Sequence, residues 1–257
     1  MTLKADAVSL RLLRKGALVE ETYRLFAGWD FNRSLDANLG HAFEGHFRTM
    51  AWAKEVKVTL RRRFRDIDDA ACLIIAAKMG LPPEEWRQCL HLWIGSREKL
   101  YHEFAINWLY PEYESGRYQL QARDVQPFVR SIWPRVNGNV PTLSEHSVIR
   151  SARDLVRMST EFQLLSGSGP TKTFASLHLS DRCFLYFAQV IAEIEHSTAR
   201  VPHSHLWRLV LMGQDDVMQT ILRLHQYRKL EYHVAGSLEQ LTLPCANVRE
   251  FAEKMAA

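Results

Sequence analysis

Apolar residues recur along most of the chain at helical rather than strand spacing. Residues 9–29 carry Leu10, Leu13, Leu18, Tyr23 and Phe26 as an apolar face and predict one or two helices, with turn chemistry at Gly28-Trp29-Asp30 and Asn32-Arg33-Ser34. A short helix is expected over 35–46. A stronger one is expected over 48–65, where Ala53, Val56, Leu60 and Phe64 share one stripe. Residues 68–79 are apolar on nearly all sides, as in a buried helix. Gly80-Leu81-Pro82-Pro83 ends that segment, and Pro83 fits the first turn of the next helix, where its missing N–H costs nothing. Further helices are expected through Trp86, Cys89, Leu90 and Trp93, over 98–109 and over 122–132. The run Trp133 to Pro141, rich in Pro, Gly and Asn, reads as a linker, which divides the chain into a helical domain at 1–133 and a second region at 142–257.

The second region has a different rhythm. A long helix is expected over 144–162, then a turn at Ser166 to Pro170, then alternation like a strand over Thr173 to Leu179. Ser180 can cap a helix at 181–195, and helices follow near 204–212 and 215–228. A hairpin is expected from Leu230 to Leu243 around Ala235-Gly236-Ser237, and a short helix over 247–255 closes the chain. The pattern helix, strand, Gly-containing turn, strand, helix therefore occurs twice. That is the outline of a winged helix-turn-helix; it is also what two hairpins that merely tie helices together would give. The expected fold is mainly α: a helical N-terminal domain, then two winged helix-turn-helix-like units bearing short β-hairpins.

Charge changes this picture by its placement. The chain of 257 residues has a formal net charge of only +4. Residues 48–65, however, hold seven Lys and Arg against Glu55 alone, more than the whole excess. Lys54, Lys57, Arg61 and Arg65 form a cationic stripe beside the apolar one, with Arg62 adjacent. Such a row suits phosphate oxygens, whose neutralisation releases counterions, and guanidinium groups bind phosphate bidentately. The plainer reading is a solvated face paired with Asp66, Asp68 and Asp69. The helix from Ser144 repeats the feature on a smaller scale. Arg150, Arg153 and Arg157 share a face, Ser144 and Ser147 are small donors at its start, and Lys172 on the following hairpin could act as a wing residue. The counterpart helix of the second unit starts Gln214-Asp215-Asp216, which favours a helix dipole but repels phosphates. A structural or protein-binding role suits it better.

Catalytic motifs are missing. The run Ser166 to Thr173 lacks the glycine spacing of a P-loop, and no HExxH or GxSxG occurs. His203-x-His205 has no Cys or carboxylate near it in sequence. The four cysteines are scattered without a CxxC and read as buried or idle thiols. The seven tryptophans read as packing residues. No cofactor, metal, small-molecule substrate or enzymatic activity is expected. The longest apolar stretches fall short of the ~18 residues needed to cross a bilayer. Residues 1–6 lack a secretory signal, so a cytoplasmic protein without membrane contact is expected.

Several stretches resemble one family. They are Lys15 to Thr22, Asn38-Leu39-Gly40 and Thr59 to Phe64, then the run from Ser144 to Leu165, Leu177 to Ser180, and Val234 to Pro244. Together they resemble BrxA, a core component of bacteriophage exclusion (BREX) defence systems. The resemblance implies a largely helical, non-enzymatic protein that binds double-stranded DNA and acts beside a DNA methyltransferase and ATPase components. It supplies no base-contacting residues. The candidate contacts therefore rest on charge: Lys54, Lys57, Arg61, Arg62 and Arg65 in one run; Ser144, Ser147, Arg150, Arg153, Arg157 and Lys172 in the other. A protein-interaction scaffold and an RNA-binding helical module are the alternative readings.

Overall fold

A computed structural model describes residues 9–138, 142–236 and 238–255. The chain opens with α1 (Leu10–Lys15), α2 (Val19–Ala27), α3 (Leu35–Ala42) and α4 (Met50–Arg63). A 3-10 turn leads into α5 (Ala71–Lys78), which is followed by α6 (Pro83–Arg97). Next come α7 (Lys99–Phe104), a π-helical turn over Ala105–Leu109, and α8 (Tyr110–Glu114). Strand β1 (Gln119–Gln121) precedes α9 (Ala122–Asn137), α10 (Glu145–Glu161), β2 (Leu165–Ser166) and β3 (Thr171–Phe174). The rest comprises α11 (Asp181–Glu195), two 3-10 turns, α12 (Gln214–Gln226), the hairpin β4 (Glu231–Ala235) and β5 (Leu238–Thr242), and α13 (Val248–Lys254). The fold is mainly α with short hairpins, as the periodicity predicted.

Local chemistry explains the boundaries. Ser9, Ser34, Thr49, Ser144, Ser180 and Asn247 each cap a helix by accepting a backbone N–H two or three positions on. The stripe of Val56, Leu60 and Phe64 is buried as expected, and α5 is buried on most sides. Pro111 is the second residue after the π-helical turn. A proline ring clashes with the carbonyl four residues back, and a widened turn relieves that clash.

Three expectations need correction. Trp133 to Asn137 do not form a linker; they complete α9, and the last turn buries Trp133 and Val136. Burial of these two side chains outweighs the single backbone bond that Pro134 forfeits. The linker's next part, residues 139–141, lies outside the described residues. The strand expected over 173–179 is Thr171–Phe174 instead; pairing ends where the Ala175 N–H donates to Leu164 O, and the His178 carbonyl accepts from the Gln88 amide. Trp52 is not a core residue, being 40 % exposed.

One strand was not anticipated. β1 pairs antiparallel with β3, with Gln119 opposite Thr173, so the sheet order is β1-β3-β2. The hairpin β2–β3 is thereby joined to a segment that precedes α9. β4 and β5 form a separate two-stranded sheet. One cluster of buried apolar residues extends from Leu13 to Met255 and joins all these elements.

Candidate nucleic-acid interface

The α4 stripe is partly what its spacing implies. Lys54, Arg62 and Arg65 are exposed, Lys57 is half-buried, and none of the four forms an ion pair among the described residues. Arg61 is exposed but held: its Nε lies 2.5 Å from Asp36 Oδ1 of α3. Arg63, counted in the same charge run, points inward. Its guanidinium meets Glu98 at 2.7 Å and donates to the carbonyls of Ala17 and Gly16, both at 2.9 Å. Buried charge is tolerable only when paired and hydrogen-bonded throughout, and Arg63 satisfies that condition. Of the acids expected to neutralise the stripe, Asp69 pairs with Arg97 instead, and Asp66 and Asp68 form no ion pair among the described residues.

The outward face of α10 divides in the same way. Arg150 and Arg153 are exposed and form no ion pair among the described residues. Arg157 is committed to structure. It donates to the carbonyls of Leu13 (3.1 Å) and Arg14 (2.8 Å) at the end of α1, and it pairs with Asp154 and Glu161. The Glu161 carboxylate also accepts the Ala17 N–H at 2.6 Å, and burial pushes its pKa up. Ser144 is the helix cap, accepting from the Ser147 N–H and donating to the Ser147 hydroxyl. Lys172, on β3, donates to Gly167 O across the hairpin turn.

These groups do not all converge. Arg153, Arg157 and Lys172 line one cleft of about 540 Å³ with the start of α9 and the β2–β3 turn. The α4 cations lie elsewhere, and α1 links the two regions. Lys15 and Arg11 of α1 pair with Glu55 of α4, while the last carbonyls of α1 hold Arg157 of α10. The cleft adds two residues that the sequence reading did not single out, Arg123 and Gln126. Arg123 is 76 % exposed and only 4.0 Å from Asp124, a weak contact. Their only sequence signal was a place in the first turns of the helix that precedes the Arg-bearing one.

In the second unit α12 presents Asp215, Gln219, Leu222 and Gln226 outward, with the exposed Arg223 beside them and the exposed Arg228 just past the helix end. Arg223 and Lys229 are both consumed by Asp181, whose pKa they hold down at about 2, Arg223 foremost. His203 is held between Glu239 and Gln214.

Fold and surface thus define a mainly helical protein with two helix–hairpin units. The chain belongs to the BrxA family: that family's model matches residues 9–190. Membership implies a component of a bacteriophage exclusion (BREX) defence system. Neither the curated proteins nor the solved structures gave a match. No helix among the described residues is long and apolar enough to cross a membrane.

Proposed function

We propose that this chain is a non-enzymatic, double-stranded-DNA-binding component of the defence system, holding the duplex chiefly by its phosphates. The observation that carries the reading is the pair of guanidinium groups, Arg150 and Arg153, exposed on α10 and without a partner among the described residues. That helix lies between the start of α9 and the β2–β3 hairpin. The order of elements supports it: helix, β1, α9, α10, then a hairpin whose second strand pairs with β1. We read this order as a winged helix-turn-helix, with α10 as the recognition helix and residues 167–170 as the wing. Lys54, Lys57, Arg62 and Arg65 supply a second set of phosphate contacts. Arg61, Arg157, Ser144, Ser147 and Lys172 have internal partners and serve the scaffold first. Few side chains suited to base edges accompany the cations, so selectivity among sequences is low.

The test is charge reversal. In fluorescence anisotropy with a labelled duplex, Arg150→Glu with Arg153→Glu should lower affinity at least about tenfold, with an unchanged melting temperature. Unchanged affinity removes α10 from the site. Competition with structured RNA separates duplex DNA from RNA as the ligand.

The exposed Leu222 on α12, beside an Arg223 already held by Asp181, favours a second reading for the last unit alone. There it docks another protein of the defence system, methyltransferase or ATPase, rather than DNA.

A further inference from the structure

The cleft beside α10 has a shape that duplex binding does not require. Phosphates of a duplex can be met by cations on the outward face of α10, such as Arg150, without any adjoining cleft. From Ile149 onward α10 lines a cleft of about 540 Å³ together with the start of α9 and with Gly169 and Pro170 of the hairpin turn. That volume falls within the ~300–1,000 Å³ of pockets that enclose small ligands.

The lining is divided by chemistry. Ile149 is the half-buried apolar side chain of the lining, with Val156, 4 % exposed, beneath it. Arg123 and Arg153 stand at the rim as the cations without a strong partner, and Lys172 lies beside them. The Gln126 amide has no hydrogen-bond partner among the described residues. Glu161 contributes the one carboxylate of the lining, already matched by the Ala17 N–H at 2.6 Å and Arg157 Nε at 3.5 Å. An apolar side chain with two guanidinium groups at the rim suits a flat ring joined to an anion. Guanidinium groups grip phosphate bidentately, and a free amide can read a base or sugar edge.

We infer that this cleft binds a nucleoside phosphate, with the base on Ile149 and the phosphate between Arg123 and Arg153. The ligand is either a free nucleotide or one nucleotide of a DNA strand; both present the same chemistry. The inference adds a ligand to the face assigned to DNA and can be judged apart from that assignment.

The test is isothermal titration of the full chain with AMP and, separately, with a short single strand of deoxyadenosine nucleotides. Inorganic phosphate and adenosine serve as controls. Saturable binding with a Kd of about 1 mM or tighter is expected for at least one of the two ligands. It should weaken at least about tenfold in the Arg123→Ala, Arg153→Ala double variant and persist when Lys54 and Lys57 are changed to Glu. Saturation by AMP identifies a free nucleotide as the source; saturation by the strand alone identifies a nucleotide of DNA. Saturation by neither overturns the inference, as does phosphate alone matching AMP, or an equal loss in the α4 variant. Duplex affinity measured on the same samples keeps the two readings distinct. Duplex bound with neither small ligand bound refutes the cleft and leaves the DNA reading standing; AMP bound with no duplex bound does the reverse.

Discussion

Arg157 and Arg14 meet across 143 positions of chain: the guanidinium of the first, on α10, donates to the carbonyl oxygen of the second, at the end of α1, at 2.8 Å. A helix leaves its last carbonyls without intrahelical donors, and here a side chain from a distant helix satisfies them. Arg157 therefore anchors α10 to the N-terminal helices, whereas Arg153, one turn earlier, is free. Arg157→Ala should lower stability by about 1–3 kcal/mol in urea unfolding. Arg153→Ala should leave stability within ~0.5 kcal/mol and lower DNA affinity. Equal stability losses would contradict the division of roles.

The buried pair Arg63 and Glu98 gives a sharper stability prediction. Arg63→Met leaves Glu98 unpaired and orphans the carbonyls of Gly16 and Ala17. Removing one partner of a buried ion pair costs about 3–5 kcal/mol. Changing Glu98 to Gln in the same chain should recover part of that loss, because no uncompensated charge remains. A double variant less stable than the single one would refute the pairing.

Gly16 is fixed by its neighbours. Its φ is 76° with ψ −163°, a region open essentially to glycine alone, and an added Cβ would lie 2.5 Å from Glu161 Oε2. Gly16→Ala should cost about 1–3 kcal/mol and disturb the Ala17–Glu161 bond. Thermal unfolding measures the first effect, and amide exchange at Ala17 the second.

Buried His91 sets a pH dependence. Its ring is stacked on Phe162 and bonded to the Tyr101 hydroxyl at 3.0 Å, and burial lowers its pKa from 6.5 to about 3. The unfolded chain binds a proton below pH 6.5 while the folded one stays neutral. Its contribution is thus whole above pH 6.5 and is lost progressively as pH falls toward about 3. His91→Phe should flatten the decline of the melting temperature between neutral pH and pH 5. A decline of unchanged slope would show that His91 does not titrate on unfolding.

Most of the fold was legible because its signals are local. The stripes of α4 and α10, the cap at Ser180 and the β4–β5 hairpin all follow from neighbouring residues. β1 escaped because Gln119-Leu120-Gln121 is too short to show alternation, and only its pairing with β3 makes it a strand. Trp133 to Asn137 misled because turn-forming residues were weighed without the burial that holds them helical. The site was legible only in part, for the same reason. Spacing shows which cations share a face, but not which of them are taken. Arg61 is claimed by Asp36, Arg63 by Glu98 and Arg157 by α1, partners remote in sequence. The cleft residues Arg123 and Gln126 become neighbours of Arg153 only through the packing of α9 on α10.

The salt dependence of duplex binding tests the central claim most directly. Each neutralised phosphate contributes about −0.9 to the slope of log affinity against log salt. Arg150 and Arg153 alone give a slope of about −2; with Lys54, Lys57, Arg62 and Arg65 also engaged it approaches about −5. An anisotropy titration across a range of salt should return a slope between these values, shallower by about 2 when Arg150 and Arg153 are reversed. A slope near zero, or one that the reversal leaves unchanged, would contradict the account.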